Sequence, residues 1–544
     1  MVLGFTPKLS HRMPTVSAPL VITELLGEPA LAQAAARGDT PDGWYVVRPR
    51  SGAEWAERAR TVQASSQRGW LEVMRPALNA SDRAAARLDA VAQGKGVVVT
   101  TGQQPGLFGG PIYTWAKALS AIALADALEA AIGMPVAPVF WAATDDSDFV
   151  EASWTMIARP GGADELRLPG DFTALSMAEV PLGDVSALLQ RLERGAGSAA
   201  WPEPLTLVRR SYRPDQTVGG AYLELLRGML EPLGMAVLDA AHPSVRSAGS
   251  ALLRDALRRS ERIAAQVADR DQAVLAAGHA PQVASVAGLS LVFRSDRGDR
   301  QRIKHSEARA AAVDAGDGTL SPNVLLRPVM ERAILPTIAY VAGPAEIAYF
   351  AQVSAVAAAL DAAPPLAVPR WSCTILEPHV ADILEKLGLG REDLRDPHAA
   401  ETRVAKARLP EGVAAALARM TAALNEALES LERDGAELVG PQAVEGARRA
   451  IAARISRLER RYTAAMKRQL ADILQDIATA RGSLYPAGKR QERALNLLPL
   501  LARYGQPLLN DMKAAARAHA AALVDAPRET LSARERRGQT SPSA

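Results

Sequence analysis

The sequence predicts an α/β fold: a parallel-sheet core with inserted segments, plus an α-helical coiled-coil domain. Three observations lead there. A β-branched run, Val97-Val98-Val99-Thr100-Thr101, is followed by a glycine-rich turn, a long helical stretch and a second apolar run. Strand, turn, helix, strand is a βαβ unit, and its right-handed crossover implies parallel strands. Shorter strand-and-turn units recur at 235–239 and 335–341. After His379 the apolar residues fall into alternating four- and three-residue spacing, the pattern of a helical hairpin or coiled coil.

The elements follow in order. Residues 1–90 read as a mostly helical lead-in, 91–380 as the core, and about 155–215 and 245–320 as insertions within it. Residues 381–484 read as the coiled-coil domain, 485–524 as a segment returning to the core, and 525–544 as a disordered tail. In the core, a helix is expected from about 112 to 132, with Leu119, Ile122, Leu128 and Ile132 apolar and Gly133 as its stop. The strand at 136–143 runs into Asp145, Asp146, Ser147 and Asp148. Hairpin character is present at 290–303, a helix is expected over 345–360, and 366–369 is a short strand candidate. In the C-terminal half, Val413, Leu417, Met420, Leu424, Ala427 and Leu431 form one stripe. Ile451, Ile455, Leu458 and Tyr462 form another, continuing with one slip through Met466, Leu470, Ile473 and Ile477. Gly435 and Gly440-Pro441 separate the two helices, and Tyr485-Pro486 ends the second.

Composition narrows the class. The 544 residues are 48% hydrophobic and 23% charged, which excludes disorder as the dominant state. A net charge of +3 is too small an excess to argue for nucleic acid. A single cysteine, Cys373, excludes a disulfide framework and a multi-thiolate zinc site, and fits a reducing cytoplasm. It has no neighbouring His and reads as a buried, inert thiol. No signal peptide is expected in the first twenty residues. No membrane span is expected either, because the best candidate, 118–132, is interrupted by Asp126 and Glu129.

Four clusters could carry chemistry. The turn from Gly102 to Gly110 opens a helix, where backbone amides attract anions, and Lys117 could add a charge; a tight turn without ligand fits equally. Asp145, Asp146 and Asp148 follow a parallel strand, where α/β sheets bind ligands; they suit an ammonium, Mg²⁺ or a proton, or a capped, solvated turn. Asn323 and Arg327 interrupt an apolar, proline-stiffened segment, and Arg327 could bind a carboxylate or phosphate, or tie a loop to the core. Tyr340, Glu346 and Tyr349 flank Gly343-Pro344, and Glu346 could bind an amine or complement the helix dipole. His242, His279 and His305 lack metal-ligand spacing, and no protein-built metal site is expected.

The motifs together resemble a known family. Residues 101–114, Thr-Gly-Gln-Gln-Pro-Gly-Leu-Phe-Gly-Gly-Pro-Ile-Tyr-Thr, and Lys117 are similar to the signature of the bacillithiol biosynthesis cysteine-adding enzymes, the BshC family. The likeness continues through 138–141, the acidic cluster, 237–239, 321–329 and 335–349, and returns at 488–493 and 496–499. It covers about 95 to 510.

The resemblance implies a Rossmann-like core with inserted segments and a coiled-coil domain that pairs two subunits. The implied reaction is the last step of bacillithiol synthesis, in which the cysteine carboxyl is joined to the amine of glucosaminyl malate. A free carboxylate is a poor electrophile, so activation by ATP or another nucleotide is expected, with Mg²⁺ as a candidate companion. Asp146, Asp148 and Lys117 are then the expected catalytic residues. Thr101, Gly102, Gln103, Gln104, Gly106, Gly109, Gly110, Tyr113, Asp145, Asn323, Arg327, Tyr340 and Glu346 are the expected substrate or nucleotide contacts, with Arg327 first choice for the malate. Ser147 stands where family members commonly carry His, which removes a proton carrier, and Cys373 stands where they carry a small residue. The partners implied are small molecules and a second copy of the chain, in the cytoplasm, without nucleic acid or membrane. Two alternatives stay open: a nucleotidyltransferase-like enzyme on another substrate, and a non-catalytic coiled-coil assembly protein.

Overall fold

The structure, a computed structural model, describes residues 18–25, 27–94, 96–172, 175–296, 299–316 and 318–525. The tail expected at 525–544 lies outside these except for Asp525. The chain divides into two compact units, one comprising 1–157, 165–375 and 492–544, the other 158–164 and 376–491.

The first unit is built on five parallel strands: β1 (Val97–Gln103), β2 (Val136–Ala142), β3 (Ala236–Asp239), β7 (Thr337–Ala342) and β8 (Ala367–Pro369). Their spatial order is β8-β7-β1-β2-β3. Every residue of β2, and every residue of β1 but Gln103, is buried, which is why both read as continuous apolar runs rather than alternating ones. From β1 the chain moves outward to β2 and β3, then returns to β7 on the other side of β1. This reversal leaves a crevice at the carboxyl ends of β1 and β7.

Helix α1 (Ile112–Ile132) joins β1 to β2 and ends at Gly133, whose φ of 66° suits glycine. It is buried on nearly every face, lying between the sheet and α7 (Leu498–Val524). Helix α3 (Pro344–Ala359) follows β7 and is equally apolar. A second sheet of the same unit has order β5-β4-β6, made from β4 (Leu289–Asp296), β5 (Asp299–Lys304) and β6 (Leu320–Pro322). The segment read from sequence as a stiff loop around Arg327 begins helix α2 (Arg327–Ile334). Pro328 sits in its first turn, where no amide is needed, so the proline starts the helix instead of preventing it.

In the second unit, α4 (Glu411–Asp434) and α5 (Pro441–Gln469) form a helical hairpin. The long second stripe is broken at Leu470, after which α6 (Ala471–Leu484) begins, inside the stretch where the spacing slips. Ile477, Ala480 and Leu484 of α6 join Val380, Leu384, Leu394 and Val404 in this unit's core. The expected α4 stripe is only partly used inside one chain. Of that stripe Leu417 is buried, whereas Met420 is 46% and Leu431 57% exposed; Leu428, outside the expected stripe, is buried instead.

Candidate active site

Strands β1 and β7 end in Gly102-Gln103 and, just beyond, Gly343, and between these ends lies a cavity of about 300 Å³. A volume of this size suits a small molecule. Gly102, Gln103, Gln104, Tyr113, Lys117, Asp145, Asp146, Asn323, Arg327, Tyr340 and Glu346 line it, so most of the residues singled out from sequence converge.

At its centre, Lys117 from α1 meets Glu346 from α3. Nζ lies 2.6 Å from Oε2 and also donates to the Gly102 carbonyl. The Lys117 side chain is 1% exposed. Glu346 also accepts from the Gly343 amide at 2.7 Å and from the Tyr340 hydroxyl at 2.6 Å. Arg327 donates to Tyr340 Oη at 3.1 Å and pairs with buried Glu331 at 2.8 Å. The result is one polar chain from Lys117 to Glu331. Burial lowers the Lys117 pKa below its usual value, and Glu346 opposes that shift. Burial alone would raise the Glu346 carboxyl, but Lys117, Tyr340 and the Gly343 amide outweigh it and hold it below the carboxylate range. Of the two sequence readings of Glu346, the dipole partner agrees with the structure, since Glu346 lies in the first turn of α3 and accepts from the Gly343 amide, whereas the charge offered to a substrate amine is met instead by Lys117. Arg327, too, has its fork engaged by Glu331 and Tyr340.

The opposite wall is acidic. Asp146 accepts from Gln104 Nε2 at 2.5 Å and from the Ser147 amide at 2.6 Å, with Arg300 at 3.7 Å. Burial raises the Asp145 carboxyl against the pull of Arg300, with Asp146 adding to the rise. Asp148 does not belong to this wall. It caps the four-residue helix Phe149–Ala152 by accepting from the Glu151 amide at 2.9 Å. That is the capping role common for Asp, and Asp148 does not line the cavity.

The glycine-rich turn is also placed differently from the phosphate cradle expected of it. Gly106, Gly109 and Gly110 are buried and do not line the cavity. The Gly109 amide donates to Gly106 O at 3.0 Å, and the Gly110 amide to Leu107 O at 3.1 Å. Tyr212 Oη donates to Gly106 O at 3.3 Å, and Asn496 Nδ2 donates to Phe108 O at 2.9 Å. Gly109 has φ of 84°, and a Cβ there would lie 2.6 Å from Trp115. The glycines thus serve close packing. Thr101 is buried and donates to Val341 O at 2.8 Å, tying β1 to β7.

Four charged side chains on the cavity escaped the sequence reading: Glu151, Arg300, Arg370 and Arg493. Arg300 sits on a hairpin without a motif. Arg370 forms a two-pronged pair with Glu492 at 2.7 and 2.8 Å. Arg493 lay in a block noticed only for its family likeness. Among the described residues no group of three or more His, Cys, Asp or Glu is placed to hold a metal ion, and no helix is long and apolar enough to cross a membrane. Cys373 is fully buried, and burial, with Glu492 beside it, pushes its thiol pKa far up.

Comparison with known proteins agrees with this architecture. Residues 39–371 match the family model described as the bacillithiol biosynthesis BshC N-terminal Rossmann-like domain. Residues 373–522 match its C-terminal coiled-coil domain. A Koribacter versatilis protein named "Putative cysteine ligase BshC" is 33% identical over 82% of this chain and 86% of its own length. Proteins of the same name from Solibacter usitatus and Salinibacter ruber are 32% and 29% identical, over 77% and 80% of this chain and 82% and 84% of theirs. With both domain models matched across a Rossmann-like sheet and a helical hairpin, the chain belongs to the BshC family.

Proposed function

We propose that this cavity joins the carboxyl of cysteine to the amine of glucosaminyl malate, the last step of bacillithiol synthesis. The observation that carries the reading is Asp146, a partly exposed carboxylate held by Gln104 on a cavity lined by both acidic and cationic side chains. An amine must be neutral to attack a carbonyl carbon and must shed a proton as the C–N bond forms. Asp146 is partly exposed and has room to align the ammonium and take that proton. Asp145 beside it lines the same cavity and adds acceptor capacity. The two carboxylates of the malate half need a cation on the lining that is not already paired with an acid.

The glycine-rich turn does not fit the phosphates of a nucleotide, because the Gly109 and Gly110 amides are spent within the turn. A donor of that class, with or without Mg²⁺, would supply the leaving group that makes the carboxyl electrophilic. The chain's own residues would orient the two partners and accept the proton.

We also propose that two copies pair through the hairpin, in the cytoplasm. Met420, Leu431, Ile451, Leu458 and Tyr462 leave apolar surface uncovered on α4 and α5, which supports pairing. The test of the reaction is direct. Purified protein is mixed with cysteine, glucosaminyl malate and ATP, with each omitted in turn, and the thiol product is sought by mass. Absence of product in the complete mixture overturns the reading. Sedimentation tests the pairing.

A further inference from the structure

Five cationic side chains line the cavity among the described residues, and four are already committed. Lys117 is paired with Glu346, Arg327 with Glu331, and Arg370 with Glu492. Arg300 lies 3.7 Å from Asp146, donates to Ser321 Oγ and Pro322 O, and stacks 4.2 Å from the Phe293 ring. Arg493 differs. It is exposed, and among the described residues its side chain makes no hydrogen bond and no ion pair. It and Glu151 sense each other electrostatically without reaching ion-pair distance.

The backbone carrying Arg493 is firmly held. Glu492, just before it, is 4% exposed and clamped by Arg370. Just after it, Ala494 O accepts from the Met156 amide at 3.1 Å, and Leu495 O accepts from the Ile112 amide at 2.9 Å. Asn496 then reaches into the glycine-rich turn, donating to Phe108 O and Gly110 O. A free guanidinium on an anchored backbone at a cavity wall is preorganised for an anion, since binding neither breaks an existing pair nor orders a loose segment.

We propose that Arg493 is the specificity-determining residue that binds the carboxylates of the incoming amine substrate. The identity of that anion rests on the ligation reading above, whereas the position of the free cation does not. Arg327 and Arg370 shape the wall and spend their charge inside the protein.

The test is calorimetric titration of the full chain with three probes: glucosaminyl malate, malate alone and cysteine. Arg493→Ala is expected to weaken glucosaminyl malate and malate ten-fold or more, leaving cysteine within two-fold. Arg493→Lys is expected to recover part of the loss. Thermal midpoints should match wild type, because the side chain is exposed. Equal binding of glucosaminyl malate by wild type and Arg493→Ala overturns the proposal while the ligation reading stands. Binding of malate but not glucosaminyl malate, with the malate lost in Arg493→Ala, keeps the anion site and overturns the ligation reading. Binding of neither anion by wild type overturns both.

Discussion

Lys117 Nζ and Glu346 Oε2 lie 2.6 Å apart across the reversal point of the sheet, joining the helix after β1 to the helix after β7. An ion pair in this position organises the cavity floor, and the cost of breaking it should be large. Glu346→Gln leaves the Lys117 charge buried and unmatched. A loss of about 3 kcal/mol is expected, read as a lower denaturant midpoint. Replacing both residues by apolar ones of similar size should recover much of that stability.

The same pair sets a pH dependence. Glu346 has a folded pKa below its unfolded value, so its contribution is present above the unfolded carboxylate range, roughly pH 4. It is lost as pH falls through the lower folded value. Unfolding free energy measured from pH 6 down to pH 2 should therefore fall more steeply in wild type than in Glu346→Gln. Parallel curves would remove the linkage.

Asp146 and Asp148 should separate cleanly. Asp146→Asn is expected to lower product formation by about 10²-fold with little change in thermal midpoint. Asp148→Ala removes a helix cap, costing about 1 kcal/mol, and should leave turnover within a few-fold of wild type. Equal loss of turnover in both would keep Asp148 in the catalytic set.

Asn496→Ala should destabilise without touching the cavity lining. It leaves the Phe108 and Gly110 carbonyls buried and short of a donor, at a cost of about 1–3 kcal/mol. Gly109→Ala should be worse than a typical surface change, since it meets both the φ of 84° and the Trp115 ring.

Cys373 should resist alkylation in the native protein and react once the chain is unfolded in denaturant. It is fully buried, with a thiol pKa far above the usual value. Cys373→Ala should retain activity. Rapid native labelling by iodoacetamide would contradict the burial.

The parallel sheet was legible because β-branched runs such as 97–101 announce buried strands, and Gly133 announces a helix end. Lys117, Asp146 and Tyr340 were legible because they sit at strand ends or one turn beyond. What the sequence hid was commitment. Glu346, Arg327 and Arg370 are charged residues in a row of letters, and only packing reveals that each already has a partner. The glycine-rich turn misled for a related reason. Close approach of backbone to a ligand and close approach of backbone to Trp115 and Asn496 ask for the same residue. Arg300 had no local signal at all, since its place depends on a hairpin from a distant insertion.

Because α7 covers α1, and residues 492–496 close the turn before it, the Rossmann-like unit is interrupted by more than a hundred residues that belong to the other unit. On the ribosome its early strands must wait until residues 492–524 have been made. At roughly 5–20 residues per second that wait is on the order of tens of seconds. An apolar helix left bare for so long is a natural client for a chaperone. A truncation that spares every cavity residue before Glu492 would still release a protein unable to close its own core.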